Sequence, residues 1–578
     1  MAEIHGSDAP LAHIPDDLTI SQFILDTQHP LRPVPNPEQP WFIDETTGRE
    51  IKLKELRARI SGLANAMKVR WNIGEDDVVC IFSPNHVDYG AAIWATHQLG
   101  SIVTTANPSY TAEEVAYQLE ATKAKLIIVH PLNLSVALDA ARIVGLPAGR
   151  VVLFDPVPGS SQANVQDLVT EGLKGPLRFT ERRLKPGEAK KKLALFCFSS
   201  GTTGKPKAVM ISHYSIIANM VQVAQFLRLT DKTLPPEQLA YRPGSVTLSV
   251  LPFFHVYGLH VILFGSLFFG STIVVTQKFN LEQMLKSIQR YRITHLFLVP
   301  PMVVLLCKSP IVKNYDLSSA YFLMVGAAPL SADLTEQLVR ILPHAPFIGQ
   351  GYGMTELATS VAHLRLDMKI GTPGNSGMLL PGIVARVVKQ DGTLAGYNEL
   401  GELLLKSPSM SLGYLNNPTA TAETFTDGWL HTGDEVMINE QKEVFVVDRI
   451  KELIKVRGFQ VAPAELEGHL LEHADVVDAC VVGIPDQYSG ELPYAYVVPS
   501  PDAQARIARG PAEEGQVRTA ILQHVADHKV YYKRLAGIEF LPAIPKNPSG
   551  KLLRRVLREQ AKTDLAAGKL KLTPKPKL

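Results

Sequence analysis

Ser199-Ser200-Gly201-Thr202-Thr203-Gly204-Lys205-Pro206-Lys207 lies between two apolar runs, LALFCF over residues 193–198 and AVMI over residues 208–211. Each run reads as a buried strand. Between them stand four small hydroxyl residues, two glycines and two lysines. Glycine lets backbone N–H groups approach an anion closely, hydroxyls add donors, and lysine adds a compact positive charge. The stretch therefore reads as a phosphate-gripping loop between strands. It is not a Walker loop, which needs four residues between its glycines, a Lys-Ser/Thr pair and a following helix. Here two residues separate Gly201 from Gly204, and Pro206 follows Lys205. The plain alternative is an ordinary glycine-rich hairpin.

Working outward, the chain alternates apolar strand-like runs with amphipathic stretches. Residues 78–82, 101–105, 125–130 and 151–154 read as strands, and residues 89–99 and 112–121 as helices. That rhythm predicts an α/β architecture with largely parallel sheets. Residues 155–161 and 230–245, rich in Pro, Gly and charge, read as surface loops. Towards the end, residues 463–471 read as a helix with Pro near its start, and 479–483 and 494–498 as strands. Residues 499–515 read as an inserted polar loop, 517–528 as a helix, and 552–558 as a basic helix.

A chain of 578 residues exceeds what one hydrophobic core organises, so two or more domains are expected. With 46% hydrophobic and 20% charged residues the composition is that of a soluble globular protein, and a net charge of +2 argues against a nucleic-acid partner. Cys80, Cys197, Cys307 and Cys480 share no metal-ligand spacing and read as reduced, buried small hydrophobes. No apolar run reaches membrane-spanning length; residues 295–307 are too short and carry Pro300-Pro301. The N-terminus lacks a secretory layout. Pro576-Lys577-Leu578 is a near relative of the Ser-Lys-Leu address, which a peroxisomal import receptor would read, and otherwise a cytoplasmic location is expected.

Further strings follow in order: Tyr352-Gly353-Met354-Thr355-Glu356, Gly428-Trp429-Leu430-His431-Thr432-Gly433-Asp434, Asp448-Arg449-Ile450-Lys451-Glu452-Leu453-Ile454-Lys455, Gly458-Phe459-Gln460-Val461-Ala462-Pro463 and Pro545-Lys546-Asn547-Pro548-Ser549-Gly550-Lys551. Together with the glycine-rich string they resemble the signatures of the adenylate-forming superfamily: acyl-CoA synthetases, 4-coumarate–CoA ligases, beetle luciferases and peptide-synthetase adenylation domains. The likeness runs from about residue 44 to about residue 559. It implies a large N-terminal domain of α/β subdomains plus a small β subdomain, residues 1–449. A small mobile α+β lid, residues 450–578, would follow, pivoting at Lys451.

It also implies a chemistry. A carboxylate attacks the α-phosphorus of ATP, giving an acyl-adenylate and pyrophosphate; the thiol of coenzyme A then displaces AMP. The first step sets an anion against a polyanion, and two unit charges ~4 Å apart interact by about 4 kcal/mol at an effective dielectric near 20. Cations and oriented donors must therefore be in place beforehand. By resemblance, Ser199, Ser200, Gly201, Thr202, Thr203, Gly204, Lys205 and Lys207 would hold the β- and γ-phosphates. Thr355 would meet the α-phosphate, and Glu356 would hold Mg²⁺, a hard cation suited to one or two carboxylates plus phosphate oxygens. Adenine would lie against Tyr352, with Gly351 and Gly353 allowing close approach. Asp434, assisted by Arg449, would accept from the ribose hydroxyls, although an aspartate after Thr-Gly can also form an Asx turn. Lys551 would be the adenylation lysine. Lys455 and Gln460 would line the site after lid rotation, with Gly458 and Phe459 beside the pantetheine channel and Arg457 near the CoA phosphate. His255 would contact the carboxylate and gate the acyl tunnel.

The tunnel itself would be lined by Tyr257, Phe297, Gly326, Ala327, Ala328, Gly351, Gly353, Ala358, Thr359 and Val361. The small residues at 326–328 are expected to leave room for a flat ring or extended chain, and the absence of charge implies an apolar or weakly polar distal end. Leu357-Ala358-Thr359-Ser360 departs from the string common in 4-coumarate–CoA ligases after the glutamate. Medium-chain fatty, phenylacetic and benzoic acids therefore stand open beside an aryl, hydroxycinnamate-like acid. Two other readings stand beside this ligase: a luciferase-like or carrier-protein-directed adenylating enzyme, and a binding protein that has lost catalysis.

Overall fold

The computed structural model describes residues 3–34, 36–199, 206–456, 459–487, 489–546 and 550–572. Ser200 to Lys205 of the glycine-rich string, Arg457, Gly458 and the terminal Pro-Lys-Leu lie outside the described residues.

Short runs buried on both faces form parallel sheets flanked by helices. Val78–Phe82 is buried at every position. It pairs in parallel with Ile102–Ala106 and Ala124–Val129. The six-stranded sheet runs Val151–Leu153, Ala124–Val129, Val78–Phe82, Ile102–Ala106, Leu193–Ser199, Lys207–Ser212. Its last pair is an antiparallel hairpin whose register places Ser199 opposite Lys207, so the glycine-rich residues leave the sheet at its edge. A seven-stranded sheet is ordered Phe347–Gln350, Phe322–Val325, His295–Leu298, Val246–Leu248, Thr272–Val275, Phe42–Asp44, Glu50–Ile51; all its pairs but the last are parallel. Helix ends follow the local chemistry. Thr111 and Glu114 form a capping box at Ala112–Thr122.

The chain then changes style. Ile4–His5, Val384–Val388, Gly401–Lys406, Trp429–Ile438, Phe425–Thr426 and Val444–Arg449 make a six-stranded antiparallel sheet. A three-stranded antiparallel sheet of Tyr352–Met354, Thr359–His363 and Met378–Leu379 lies between these layers in sequence. Arg449 is the last residue of the antiparallel sheet, and Ile454 begins a separate five-stranded one: Phe459–Val461, Ile454–Val456, Gly490–Pro499, Val476–Asp486 and Ile538–Phe540. Exposed Lys451 stands in the turn between, where the N–H groups of Glu452 and Leu453 both donate to the Arg449 carbonyl, at 2.8 and 3.1 Å. This C-terminal sheet has its own core, with Val481, Val497, Val517, Ile521 and Ile538 fully buried.

One expectation is corrected here. Residues 499–515 are not a polar loop but mostly helix: Pro501–Ile507 and the first turn of Pro511–His528. Ser500 caps the first helix by accepting from the Ala503 N–H, and Pro501 and Pro511 occupy first-turn positions that need no N–H. Val517, Ile521 and Val525, spaced by four, carry the longer helix onto the sheet.

Arg554, at the start of helix Arg554–Ala566, ties the lid core to the strand that precedes it. Its guanidinium is forked onto Glu467 at 3.0 and 2.6 Å, pairs with Glu452, and lies 3.7 Å from Asp448. Asp448 also accepts from the Ala464 N–H at 2.9 Å. Removing one member strands the others without water. Glu467→Leu is expected to destabilise the C-terminal unit by about 3–5 kcal/mol, and the Glu467→Leu, Arg554→Met pair by much less. Urea unfolding followed by hydrogen exchange over residues 454–546 checks this; equal losses in both variants would refute the cluster's role.

Candidate active site

Tyr352–Met354 and Thr359–His363 are joined by a tight turn, Thr355–Leu357, that presents Glu356. The reversal uses two left-handed residues, Ala358 at φ 54° and Thr359 at φ 120°. It also requires glycine at 353, where a Cβ would sit 1.9 Å from the Thr359 carbonyl oxygen. Thr355 opens this turn, half-buried. The Glu356 carboxylate is buried, and its Oε1 accepts from the Tyr414 hydroxyl at 2.8 Å and from the Ser199 hydroxyl at 3.4 Å. Lys207, opposite Ser199, holds its ammonium 5.0 Å from the centre of the Tyr414 ring, a cation–π distance. The described ends of the glycine-rich hairpin are thus bound to the Tyr-Gly-Met-Thr-Glu segment.

Asp434, on Trp429–Ile438, stands in register with Arg449 on the neighbouring strand. Arg449 Nε is 3.5 Å from Asp434 Oδ1, and the Tyr352 hydroxyl donates to Oδ2 at 2.6 Å. Burial pushes the Asp434 carboxyl above the ordinary carboxylate range, opposed by Arg449, by the Tyr352 hydroxyl and by Lys551. The Asx-type bond at this point runs the other way: the Asp434 N–H donates to the Thr432 hydroxyl at 3.1 Å. The Asp434 side chain is therefore left for Tyr352, Arg449 and a ligand.

Lys551 reaches this cluster from the C-terminal unit. Gly550, at φ 82°, packs so closely on the large domain that a Cβ would lie 2.9 Å from Val299 Cγ2. Lys308 of the large domain donates to the carbonyls of Leu471 and Val476 at 3.0 and 2.6 Å, a second point of docking. Burial lowers the Lys551 ammonium to a pKa of about 8, with Arg449 pushing the same way and Glu452, Asp434 and Glu356 opposing. Lys551 charge also reaches His255, whose pKa is lowered to about 4, first by burial and then by Lys551. His255 is therefore neutral at physiological pH. Its Nδ1 accepts the Tyr257 N–H at 3.3 Å, which leaves the proton on Nε2 as a donor.

The acyl-pocket residues divide. Tyr257, Phe297, Gly326, Ala358, Thr359 and Val361 are buried. Of the small residues at 326–328, Gly326 is closely packed rather than open. A Cβ on Gly326 would be 3.0 Å from Tyr257 Cε1, so the glycine makes room for the Tyr257 ring, whose hydroxyl donates to the Met324 carbonyl at 3.3 Å. Ala327 and Ala328 are exposed at the cleft surface, beyond the strand Phe322–Val325, with Ala327 at φ 71°. Gly351 has Met324 Sδ 3.0 Å from where a Cβ would lie, so it too serves close packing. Behind Phe297, a small cavity is bordered by Tyr241, His260, Ser360 and His363. Among the described residues, buried His260 Nδ1 has no hydrogen-bond partner.

Lys455 and Gln460 are cross-strand partners on the C-terminal sheet, both exposed, and Phe459 stacks on Tyr532 at 4.3 Å. This conformation brings Lys551, not that hairpin, to Glu356 and Asp434. Sequence reasoning missed Tyr414 as the residue holding Glu356, and Arg554 and Glu452 as the anchors behind Lys551. Tyr414 follows a glycine in an unremarkable string, and nothing local marks its partner.

A family model described as AMP-binding enzyme matches residues 33–415, and one described as AMP-binding enzyme C-terminal domain matches residues 465–551. A 4-coumarate–CoA ligase 5 of Oryza sativa subsp. japonica is 36% identical over 576 residues, 98% of both chains. A 4-coumarate–CoA ligase 3 of Arabidopsis thaliana is 36% identical over 527 residues, 90% of this chain and 88% of its own. Among solved structures, ATP-bound MatB from Rhodopseudomonas palustris superposes with a TM-score of 0.77 at 25% identity, covering 94% of this chain and 99% of its own. An anthranilate CoA ligase, AuaEII, shares the fold with a TM-score of 0.81 at 23% identity, covering 97% of this chain and 100% of its own.

Two outcomes follow from the site. The free protein loses its Lys551 charge as pH rises through about 8, so pyrophosphate exchange at low ATP should fall over that range. Lys551→Arg should move this limb to higher pH, and an unchanged profile would remove Lys551 from the step. Tyr414→Phe deletes one hydrogen bond to a buried carboxylate and should slow the same exchange about tenfold, from a cost of about 1.5 kcal/mol; wild-type exchange would refute Tyr414's role.

Proposed function

This chain belongs to the AMP-binding enzyme family, and we propose that the aligned cluster around Glu356 and Asp434 adenylates an aryl or medium-chain organic acid. The enzyme is an ATP-dependent, AMP-forming acid–CoA ligase. The acid is activated as acyl-AMP with loss of pyrophosphate, and CoA then takes the acyl group with loss of AMP.

One observation carries the reading: Lys551, supplied by the C-terminal unit, lies among the charges of Arg449, Asp434 and Glu356, which come from two different sheets. An ammonium, a guanidinium and two carboxylates so arranged suit one nucleotide. We assign Asp434, oriented by Tyr352 and Arg449, to the ribose hydroxyls. Lys207 and Ser199 flank the phosphates. The Lys551 ammonium bridges the acid's carboxylate oxygen and the α-phosphate, lowering the repulsion between two anions and stabilising negative charge as the new P–O bond forms. Neutral His255, with its Nε2–H, donates to the acid carboxylate without competing for its charge. Glu356, held by Tyr414 and Ser199, offers the hard oxygen chemistry that Mg²⁺ takes, and the ion would supply charge neutralisation to the phosphates.

The acid's distal end would enter beyond Tyr257 towards Phe297, where His260 offers a buried imidazole nitrogen with no partner among the described residues. The cavity there measures only about 10 Å³, so an aromatic acid would enter it only as the lining side chains move; what supports a hydroxycinnamate-type acid is the 4-coumarate named for the plant relatives. The exposed Lys455–Gln460 hairpin would replace Lys551 at the site for thiolation, by rotation about Lys451.

A panel of aryl and C6–C12 acids, scored for AMP release with and without CoA, tests the class: CoA-dependent AMP release is expected, and AMP release indifferent to CoA would favour a carrier-directed or luciferase-like enzyme. Lys551→Ala should cut acyl-AMP formation at least 100-fold while leaving thioester formation from supplied acyl-AMP within a few-fold; equal loss of both steps would sink the two-face reading.

A further inference from the structure

Away from the cleft, two helices of the C-terminal unit bring histidines together. His469 lies on Pro463–Glu472; His524 and His528 lie four apart on Pro511–His528, which puts them on one helical face. One nitrogen of each of these three residues lies within 4.8 Å of the other two. The rings of His469 and His524 stack at 4.2 Å, His528 is 5.3 Å from each, and His473 meets His524 edge-on at 5.2 Å. Nothing in the adenylation chemistry uses these rings.

We propose that His469, His524 and His528 form a site for a borderline divalent cation of the Zn²⁺ class, clamping the two helices. Imidazole suits such ions, and two histidines at i and i+4 on a helix with a third from a facing helix make a three-nitrogen set with room for a water or a fourth ligand. The surroundings favour it. His469 Nδ1 is bonded to the Glu472 carboxylate at 2.8 Å, the carboxylate–histidine pairing that fixes a ligating ring and raises its basicity. His469 Nε2 lies 3.3 Å from the His524 carbonyl, a contact it would give up on binding the metal. His524 Nε2 and His528 Nδ1 lie 3.1 and 2.9 Å from the carbonyls of His469 and His524, and each ring carries a second nitrogen.

The cation would join the helix that carries Glu467, the partner of Arg554, to the helix that backs the sheet. It would therefore stiffen the unit that delivers Lys551 without entering the adenylation site.

The test uses the full chain, freed of metal by chelation and dialysed into Mg²⁺ buffer. Zn²⁺ added alone should bind with one ion per chain by calorimetry and raise the thermal midpoint. Co²⁺ should give the visible absorption of a low-symmetry nitrogen site. His528→Ala, at an exposed helix end that folding does not depend on, and His524→Ala should weaken Zn²⁺ binding at least tenfold, and Glu472→Gln about 10–100-fold. His344→Ala, an exposed histidine elsewhere, should leave it unchanged. Binding that survives the His524→Ala, His528→Ala double variant, or Zn²⁺ and Co²⁺ titrations that show no saturable site in the wild-type chain, would overturn the proposal.

Discussion

An ammonium held out of water is the constraint on which the rest depends. Lys551 is costly to bury while charged, and its environment shows it: desolvation, reinforced by Arg449, pulls its pKa to about 8. Three carboxylates, of Glu452, Asp434 and Glu356, partly restore the charge. A buried ammonium among these charges is in place before any anion arrives, which is how a site can be ready for a transition state before the substrate enters.

Keeping Lys551 there requires contacts on both sides. The C-terminal unit is held by Arg554 across Glu467, Glu452 and Asp448, while Lys308 and the Val299 side chain of the large domain receive it from outside. On the opposite wall, Tyr414 ties Glu356 to the strand ends that carry the glycine-rich hairpin. Each anchor lies far from its partner in sequence: Tyr414 and Glu356 are 58 residues apart, and Arg554 and Glu467 are 87 apart. The site is thus a product of how sheets meet, not of any one segment.

Much of the fold was legible. Val78–Phe82 was readable as a strand because β-branched and aromatic residues run without polar interruption, and residues 112–121 as a helix because they form an amphipathic stretch between strand-like runs. The stretch 499–515 was misread because its Asp, Glu, Gln and Arg residues make it polar in bulk, while Ala, Glu, Gln and Arg are good helix formers, and the buried residue of its first helix, Ala503, is too small to register as a periodic signal. The space expected at Gly326 was misread for a different reason. Gly326 suggests space only until the Tyr257 ring, 69 residues away in the chain, is found filling it.

By itself the sequence determined the kind of chemistry. A Ser/Thr/Gly/Lys string between strands, an acid in Tyr-Gly-Met-Thr-Glu, an Asp after Thr-Gly and a lysine after Ser-Gly are local features, written in residue types whose donors and charges suit a triphosphate in any context. Only the tertiary structure decided which of them meet, how deeply Lys551 and Asp434 are removed from water, which face of the C-terminal unit is presented, and that His469, His524 and His528 share one seam. Those outcomes depend on burial and on contacts between distant segments, and neither is encoded in the spacing of residues along one element.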